Sequence, residues 1–265
     1  MISGELREYA ELPDRFAWVP EGSSVSRFDD GRVCVVQGVT WASVSAVSVD
    51  DDAVAELVNE VRALVAPTKL CTWWLGPSTR PADLPARLLE LGLSEPRDRV
   101  TTVRALALTR EPPQPADEIA VEVIADFADF VAARDVQWDA FEVPAERRER
   151  LRGELRRDFD ESAKLGVPVT FLARLDGRPA ATAMAIPSDR GVFLIAGATA
   201  PWARGRGLYR ALVHARWEFA AARGTPALVT QADPATSYPI LKRLGFEDVC
   251  EIARIEDARQ STGST

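Results

Sequence analysis

The sequence predicts an α/β protein with a mixed sheet (α+β character), arranged as two tandem domains. Short apolar runs with strand character alternate along the chain with segments whose apolar residues recur at helical spacing. The polar, proline-rich segment at 111–117 separates two such series, which divides the chain. We therefore expect one domain at residues 1–112, a second at 118–257 and a disordered polar tail at 258–265.

The first domain is expected to contain strands and helices in alternation. Each strand is an apolar run bounded by turn residues, and each helix repeats apolar side chains every three or four positions. The strands are expected at 33–36, 39–49, 70–75 and 100–108, and the helices at 54–65 and 84–91.

The second domain continues the alternation, and the pair Asp176-Gly177 predicts a type I′ hairpin within it. Trp138 to Pro144 is expected to be an aromatic-rich loop between two helices. The strands are expected at 121–124, 169–175, 179–186, 192–198, 226–232 and 246–254, and the helices at 127–134, 144–165, 208–222 and 235–244.

The helix at 208–222 carries a stripe of apolar residues that predicts its buried face. The stripe consists of Leu208, Ala211, Leu212, Ala215, Phe219 and Ala222. His214 and Trp217 lie outside this stripe, so we expect them near the surface. An exposed tryptophan on a helix favours a covered contact, with a second subunit as one option and the first domain as the other.

The segment between the apolar run 192–198 and this helix has the composition of a phosphate-binding turn. It reads Arg204-Gly205-Arg206-Gly207 and leads directly into the helix at Leu208. Glycines at a strand-to-helix turn let the backbone approach a ligand closely, and the helix N-terminus favours negative charge. The arginines add formal positive charge at the same place.

These residues resemble the signature of the GNAT superfamily of N-acetyltransferases, Arg/Gln-x-x-Gly-x-Gly/Ala, except that Tyr209 stands at the last position. The order of strands and helices after the turn, including the Leu-Gly-Phe stop at 244–246, resembles the same superfamily. The resemblance covers about 118–255 and is strongest over 192–247. It implies an acyl-CoA N-acyltransferase-like fold and transfer of an acetyl group from acetyl-CoA, a cosubstrate, to an amine by direct attack in a ternary complex.

The resemblance also implies which residues contact the cosubstrate. The strand before the turn pairs its backbone with the pantetheine arm, and the turn holds the diphosphate. The expected CoA-binding residues are Gly197, Ala198, Thr199, Arg204, Gly205, Arg206, Gly207, Leu208, Tyr209 and Ser237.

The catalytic residues are less determined by the resemblance. Superfamily members usually protonate the leaving thiolate with a tyrosine, and the aligned position here is Leu241, which cannot donate. The alternative proton donors to the leaving thiolate are Tyr238, Ser237 and solvent. A general base is not identifiable, and the candidates are Glu142, Asp139 and, more weakly, His214. Trp138 and Phe141 are candidates for holding a small-molecule or peptide amine by cation–π contact, with plain packing as the alternative.

The first domain resembles the second but lacks its turn. Asp50-Asp51-Asp52 stands where the second domain has arginines and glycines, and three carboxylates would repel a diphosphate. We therefore expect a degenerate N-terminal copy that keeps the scaffold without the cosubstrate site.

Bulk composition narrows the partners. A net charge of −8 argues against non-specific nucleic-acid binding, and no apolar run is long enough to span a membrane. Three scattered cysteines, one histidine and the absence of a signal-peptide core favour a cytoplasmic protein without a metal site. The alternative to an enzyme is a non-catalytic acyl-CoA-binding or interaction module, which the residues at 209 and 241 favour.

Overall fold

The computed structural model describes residues 2–116 and 118–258. Asp117 of the linker and residues 259–265 of the tail predicted at 258–265 lie outside the described residues. The chain forms two compact units that are discontinuous in sequence. Unit 1 consists of 1–106, 231–240 and 248–265, and unit 2 consists of 107–230 and 241–247. The domain boundaries drawn on the sequence stay a prediction.

The described residues form helices and strands in alternation. The helices are α1 (Gly4–Glu11), α2 (Pro13–Phe16), α3 (Val54–Leu64), α4 (Leu84–Glu90), α5 (Phe127–Ala140), α6 (Ala145–Arg152), α7 (Leu155–Leu165), α8 (Leu208–Ala222) and α9 (Tyr238–Arg243). The strands are β1 (Ser26–Asp29), β2 (Cys34–Gln37), β3 (Trp41–Ser45), β4 (Leu70–Leu75), β5 (Thr102–Leu108), β6 (Ile119–Val123), β7 (Val169–Leu175), β8 (Arg178–Ser188), β9 (Gly191–Thr199), β10 (Leu228–Ala232) and β11 (Glu247–Asp257).

Unit 1 is built on strands in the order β1-β2-β3-β4-β11-β5. The β3–β4 pair is parallel, whereas β1–β2, β2–β3 and β4–β11 are antiparallel. Ala253 to Asp257 of β11 face Leu75 to Cys71 of β4, so the last strand of the chain contributes to unit 1. Helix α3 packs its buried valines and Leu57 into a core that includes the fully buried Trp73.

Unit 2 is built on strands in the order β10-β9-β8-β7-β6. The β9–β10 pair is parallel and the other pairs are antiparallel. Helices α5 and α8 both contact β8 and β9. The predicted hairpin between β7 and β8 is confirmed, because Asp176 and Gly177 both have positive φ, 52° and 75°, as a type I′ turn requires.

Two predicted elements of unit 2 are wrong in detail. The helix expected over 144–165 is two helices, α6 and α7, with a break at Gly153 and Glu154. The aromatic loop is shorter than expected, because α5 continues to Ala140 and includes Trp138. Asp126 caps α5 by accepting a hydrogen bond from the Asp129 N–H at 2.9 Å, which fixes where this helix begins.

Candidate active site

Strand β9 is paired along its full length on one edge and along only its first part on the other. It pairs with β8 from Gly191 to Thr199, whereas its parallel register with β10 covers Val192 to Leu194. Within the described residues of unit 2, the β10-facing edge from Ile195 to Thr199 therefore has no ladder partner. Free N–H and C=O groups on a strand edge can bind an extended ligand by backbone hydrogen bonds.

A β-bulge lies at the start of this open edge. Thr182 of β8 faces Ala198 and Met184 faces Ile195, so two residues of β9 oppose one residue of β8. Ala196, in the bulge, has a φ of 53°, in the left-handed region that residues with a Cβ seldom adopt. The bulge therefore takes the peptide groups around residue 196 out of the regular ladder and re-aims them.

A glycine turn connects β9 to helix α8. Gly205 and Gly207 have φ values of 77° and 84°, and Gly207 immediately precedes the first helical residue, Leu208. A Cβ built at Gly205 meets no atom within 4 Å, and at Gly207 it meets only Ile119 Cδ1 at 3.6 Å. The glycines are therefore required by the backbone conformation and not by crowding, and they leave open space in front of the turn.

The turn carries positive charge at the N-terminal end of α8. The first N–H groups of this helix have no partner within the helix. Arg204, Arg206 and Arg210 are exposed, and Arg204 Nη2 donates to the Ala140 carbonyl at 3.3 Å. Together with the helix dipole, these cations suit the turn for binding an anion such as a diphosphate.

Tyr209, at the last position of the motif, contacts the bulged strand. Its ring lies against Gly197 of β9. A Cβ built at Gly197 would lie 2.9 Å from Tyr209 Cε2 and 3.6 Å from its hydroxyl oxygen. The absence of a side chain at Gly197 thus makes room for the tyrosine ring at the bulge, and the paired Gly and Tyr are the only sequence signal of this contact.

Arg216 was also missed by the sequence analysis. It lies seven residues after Tyr209 on the same helix, α8, and is 1% exposed. Its Nε donates to the Leu212 carbonyl at 2.9 Å and its Nη1 to the Met184 carbonyl at 3.3 Å, whereas Nη2 has no hydrogen-bond partner within the described residues. Burial lowers the pKa of this guanidinium to about 10, opposed by the neighbouring Tyr209.

The buried face of α8 differs from the predicted stripe. His214 and Trp217, expected near the surface, are 5% and 8% exposed. His214 Nε2 lies 3.3 Å from Glu111 Oε1, and its Nδ1 lies 3.7 Å from Glu218 Oε2. The prediction was wrong because the buried residues of α8 extend beyond the predicted apolar stripe and include His214, Arg216 and Trp217.

Of the two residues predicted to bind the amine acceptor, Trp138 is buried and Phe141 is exposed. Trp138 is buried with Phe130 and Leu155, and the Arg152 guanidinium lies 5.2 Å from its ring centroid. Phe141 is 57% exposed in the short loop after α5. The structure therefore places Trp138 in the core of unit 2, while its role in substrate binding stays a prediction.

Two of the candidate general bases, Asp139 and Glu142, lie near the end of α5 and in the loop that follows it. Asp139 forms an ion pair with Arg148, with 2.5 Å between its Oδ1 and the arginine Nη1. Glu142 is exposed and has a φ of 52°, so the loop is held in an uncommon conformation at that residue.

The residues before the Leu-Gly-Phe stop divide between the two units. Ser237 and Tyr238 belong to unit 1: the Ser237 hydroxyl accepts from the Asp233 N–H at 3.1 Å, and the Tyr238 hydroxyl donates to Asp248 Oδ2 at 3.3 Å. Leu241 belongs to unit 2 and is 1% exposed. The roles of Ser237 in binding CoA and of Tyr238 in catalysis stay predictions.

Unit 1 repeats the strand of unit 2 and an alanine with a positive φ, but not the glycine turn. Ala46, which follows β3, has a φ of 53°, as Ala196 does in β9. A short 3-10 helix follows in both units, at Asp51–Ala53 and Pro201–Ala203. Helix α3 then begins directly at Val54, so unit 1 has nothing corresponding to the four residues from 204 to 207.

The strand edge that is open in unit 2 is filled by the chain itself in unit 1. The Arg80 N–H donates to the Val47 carbonyl at 2.9 Å, and the Val49 N–H donates to the Arg80 carbonyl at 3.2 Å. Ser48 and Arg80 thereby form a parallel bridge beyond the end of β4. Unit 1 therefore offers neither the turn nor the free edge that unit 2 has.

Two searches of the described residues bear on other kinds of site. No group of three or more His, Cys, Asp and Glu side chains within 2–116 and 118–258 could hold a metal ion. None of the helices described is both long enough and apolar enough to cross a membrane.

Comparison with known proteins agrees with this geometry. Residues 130–246 match the model of the acetyltransferase (GNAT) family. No curated protein gave a match by sequence. The GCN5-related N-acetyltransferase from Kribbella flavida has a TM-score of 0.66 at 18% identity, with 99% of this chain and 96% of that chain covered.

Two further solved structures show the same fold. A tandem GNAT protein from the clavulanic acid biosynthesis pathway has a TM-score of 0.56 at 14% identity, covering 98% of this chain and 90% of that chain. The GCN5-related N-acetyltransferase from Sphaerobacter thermophilus has a TM-score of 0.55 at 16% identity, with coverages of 92% and 85%. The predicted mixed α/β, acyl-CoA N-acyltransferase-like fold is thus confirmed, and residues 130–246 of this chain match the acetyltransferase (GNAT) family.

Proposed function

We propose that this protein is an N-acetyltransferase that moves the acetyl group of acetyl-CoA to an amine by direct attack in a ternary complex. One observation carries the proposal: an open strand edge, a bulge and a glycine turn follow one another between Ile195 of β9 and Leu208 at the start of α8. Such an arrangement can hold an extended thioester arm at one end and a diphosphate at the other.

The diphosphate of CoA would bind at the glycine turn. Gly205 and Gly207 have positive φ values and open space around them, and α8 has no side-chain cap, so its first N–H groups can donate to the diphosphate. Arg204 and Arg206 would add charge-assisted hydrogen bonds. The position of Ser237 in this site is carried over from the family resemblance.

The pantetheine arm would pair with the open edge of β9. Gly197, Ala198 and Thr199 supply its backbone hydrogen bonds as an added strand would receive them. The thioester would then lie near the bulge at Ala196, where a re-aimed peptide N–H can donate to the carbonyl oxygen as negative charge develops on it.

The amine must lose a proton to attack, and Glu142 is our candidate for accepting it. Its carboxylate is exposed in the loop that also presents Phe141, whose exposed ring can contact a cationic amine before that proton is lost. Asp139 is less suited because its charge is already paired with Arg148. The acceptor class is a small-molecule or peptide amine.

A second candidate function, a non-catalytic acyl-CoA-binding module, is favoured by one observation. Leu241, at the position aligned with the usual superfamily tyrosine, is buried and cannot donate a proton. Such a module would use the same strand edge and turn, so binding alone does not separate the two functions.

Calorimetric titration with CoA, together with a thiol-release screen of amines with acetyl-CoA, tests the proposal. We expect saturable CoA binding and release of free CoA that depends on both acetyl-CoA and an amine. Tight CoA binding without thiol release across a broad amine panel would support the binding module. Absence of CoA binding would contradict both functions.

A further inference from the structure

Tyr209 and Arg216 form a polar pair beneath the open edge of β9. We propose that the Tyr209 hydroxyl donates a proton to the sulfur of the leaving CoA thiolate, and that the buried charge of Arg216 stabilises the phenolate this produces. The inference rests on the proposed function, because it assigns a residue to the leaving-group step of that reaction.

The first argument is the place of the hydroxyl. The Tyr209 oxygen lies 3.6 Å from the point where a Gly197 side chain would begin, next to the bulge at Ala196. Both Tyr209 and Gly197 are only partly buried, so neither residue is sealed in the core. A thioester held by the backbone of this stretch would bring its sulfur to the same point.

The second argument is the unbalanced charge of Arg216. Its two hydrogen bonds go to the neutral carbonyls of Leu212 and Met184, and its Nη2 is buried without a hydrogen-bond partner within the described residues. Buried cations are normally paired, because an isolated charge loses its hydration without compensation. Tyr209 is the ionisable neighbour that opposes the lowering of the Arg216 pKa, so a phenolate at Tyr209 would complete the pair.

The third argument is the protonation state of the phenol. Burial raises the pKa of Tyr209, opposed by the positive charge of Arg216, so the hydroxyl holds its proton at neutral pH. A group that is protonated before the reaction and lies beside a cation is suited to act as a general acid.

The chemical step balances without another reactant. The amine nitrogen forms a bond to the carbonyl carbon, and collapse of the tetrahedral intermediate breaks the C–S bond and leaves its electron pair on sulfur. The sulfur takes the proton from the Tyr209 hydroxyl. The phenolate regains a proton from solvent, to which the nitrogen loses its second proton after the attack, the first having passed to Glu142 before it.

Titration of bound CoA tests the proposal without requiring turnover. The ultraviolet absorbance of the thiolate reports the thiol pKa of CoA in the binary complex. A donor at the sulfur and a nearby cation favour the thiolate, so its pKa should be lower in the wild-type complex than in free CoA. Tyr209→Phe should return it toward the free value, whereas Tyr9→Phe, which removes a buried hydroxyl in unit 1, should leave it lowered. An equal thiol pKa in the wild-type and Tyr209→Phe complexes would overturn the inference.

Kinetics supply the second readout. Tyr209→Phe should lower kcat by about 100-fold and change CoA affinity by less than about twofold, the pattern of an interaction made mainly in the transition state. Incorporation of 3,5-difluorotyrosine at position 209 lowers the intrinsic pKa of the phenol. The alkaline limb of kcat should then move to lower pH, because a general acid is inactive once deprotonated; this second variant also serves if Tyr209→Phe folds poorly.

The outcomes separate the inference from the proposed function. If the wild-type protein lowers the thiol pKa of bound CoA but transfers no acetyl group, the proposed enzymatic function is contradicted. The contact between the Tyr209 hydroxyl and the CoA sulfur is then still supported. An active enzyme in which Tyr238→Phe lowers kcat and Tyr209→Phe does not would overturn the inference in favour of Tyr238. Parallel loss of kcat and CoA affinity in Tyr209→Phe would also overturn it, because that pattern indicates packing alone.

Discussion

Substitution of Gly207 by valine is the most direct test of the CoA site. Gly207 has a φ of 84°, and a Cβ there would meet only Ile119 Cδ1 at 3.6 Å, which is ordinary contact. The expected effect of the substitution therefore comes from strain in the backbone at residue 207. An L residue in the left-handed region costs about 1–2 kcal/mol, with β-branched residues at the high end.

That strain translates into lost affinity for CoA. If Gly207→Val relaxes by leaving the left-handed conformation, the turn that presents its N–H groups is depopulated by roughly 5- to 30-fold, and the apparent Kd rises by the same factor. The valine methyl groups would also project toward the open space in front of the turn. We expect a loss of CoA affinity of at least about tenfold, measured by calorimetry.

Gly92 supplies a matched control for the backbone strain. It has a φ of 86°, lies at the end of α4 in unit 1, and a Cβ there meets no atom within 4 Å. Gly92→Val should lower the free energy of unfolding by a similar amount and leave the Kd for CoA unchanged. A Kd of Gly207→Val within about twofold of the wild type, in a folded protein, would refute the assignment of the turn.

Three further predictions concern charge, thiols and stoichiometry. Arg204→Ala and Arg206→Ala should each weaken CoA binding by roughly tenfold at low salt, and rising salt should narrow that difference; salt-independent binding would contradict phosphate contact. Burial raises the pKa of Cys34 and of Cys250 from 9.0 to about 12, so both thiols should resist alkylation at neutral pH until the protein unfolds. Because the unfolded thiols ionise first, the free energy of unfolding should fall as pH rises from 9.0 toward about 12 in a denaturation series. Calorimetry should find one CoA per chain, and two would show that unit 1 retains a site.

The features that the sequence predicted well are those with local causes. The type I′ hairpin follows from Asp176 and Gly177 alone, and the glycine turn follows from Gly205 and Gly207 before an amphipathic helix. Strand positions within unit 2 agree with the apolar runs to within a few residues, because each run is bounded by its own turn residues.

The features that the sequence could not predict depend on contacts between distant residues. The pairing of β11 with β4 joins residues 253–257 to 71–75, and no local pattern chooses that neighbour. The burial of Arg216 was missed because long charged side chains are usually exposed, and its hydrogen bond to the Met184 carbonyl joins residues that are distant in sequence. The ring of Tyr209 could be placed only once Gly197 was known to lie opposite it.

The two alanines with left-handed backbone show which parts of the fold belong to the scaffold and which to the site. Ala46 and Ala196 have the same φ of 53°, although unit 1 lacks the glycine turn. The left-handed alanine alone therefore does not define a CoA site, because unit 1 keeps it while Arg80 fills the strand edge beside it. What distinguishes unit 2 is that its edge after Leu194 has no ladder partner within the described residues of that unit and continues into the turn before α8. Binding of a long, anionic thioester requires both features, and this requirement explains how a repeated scaffold can carry a single site.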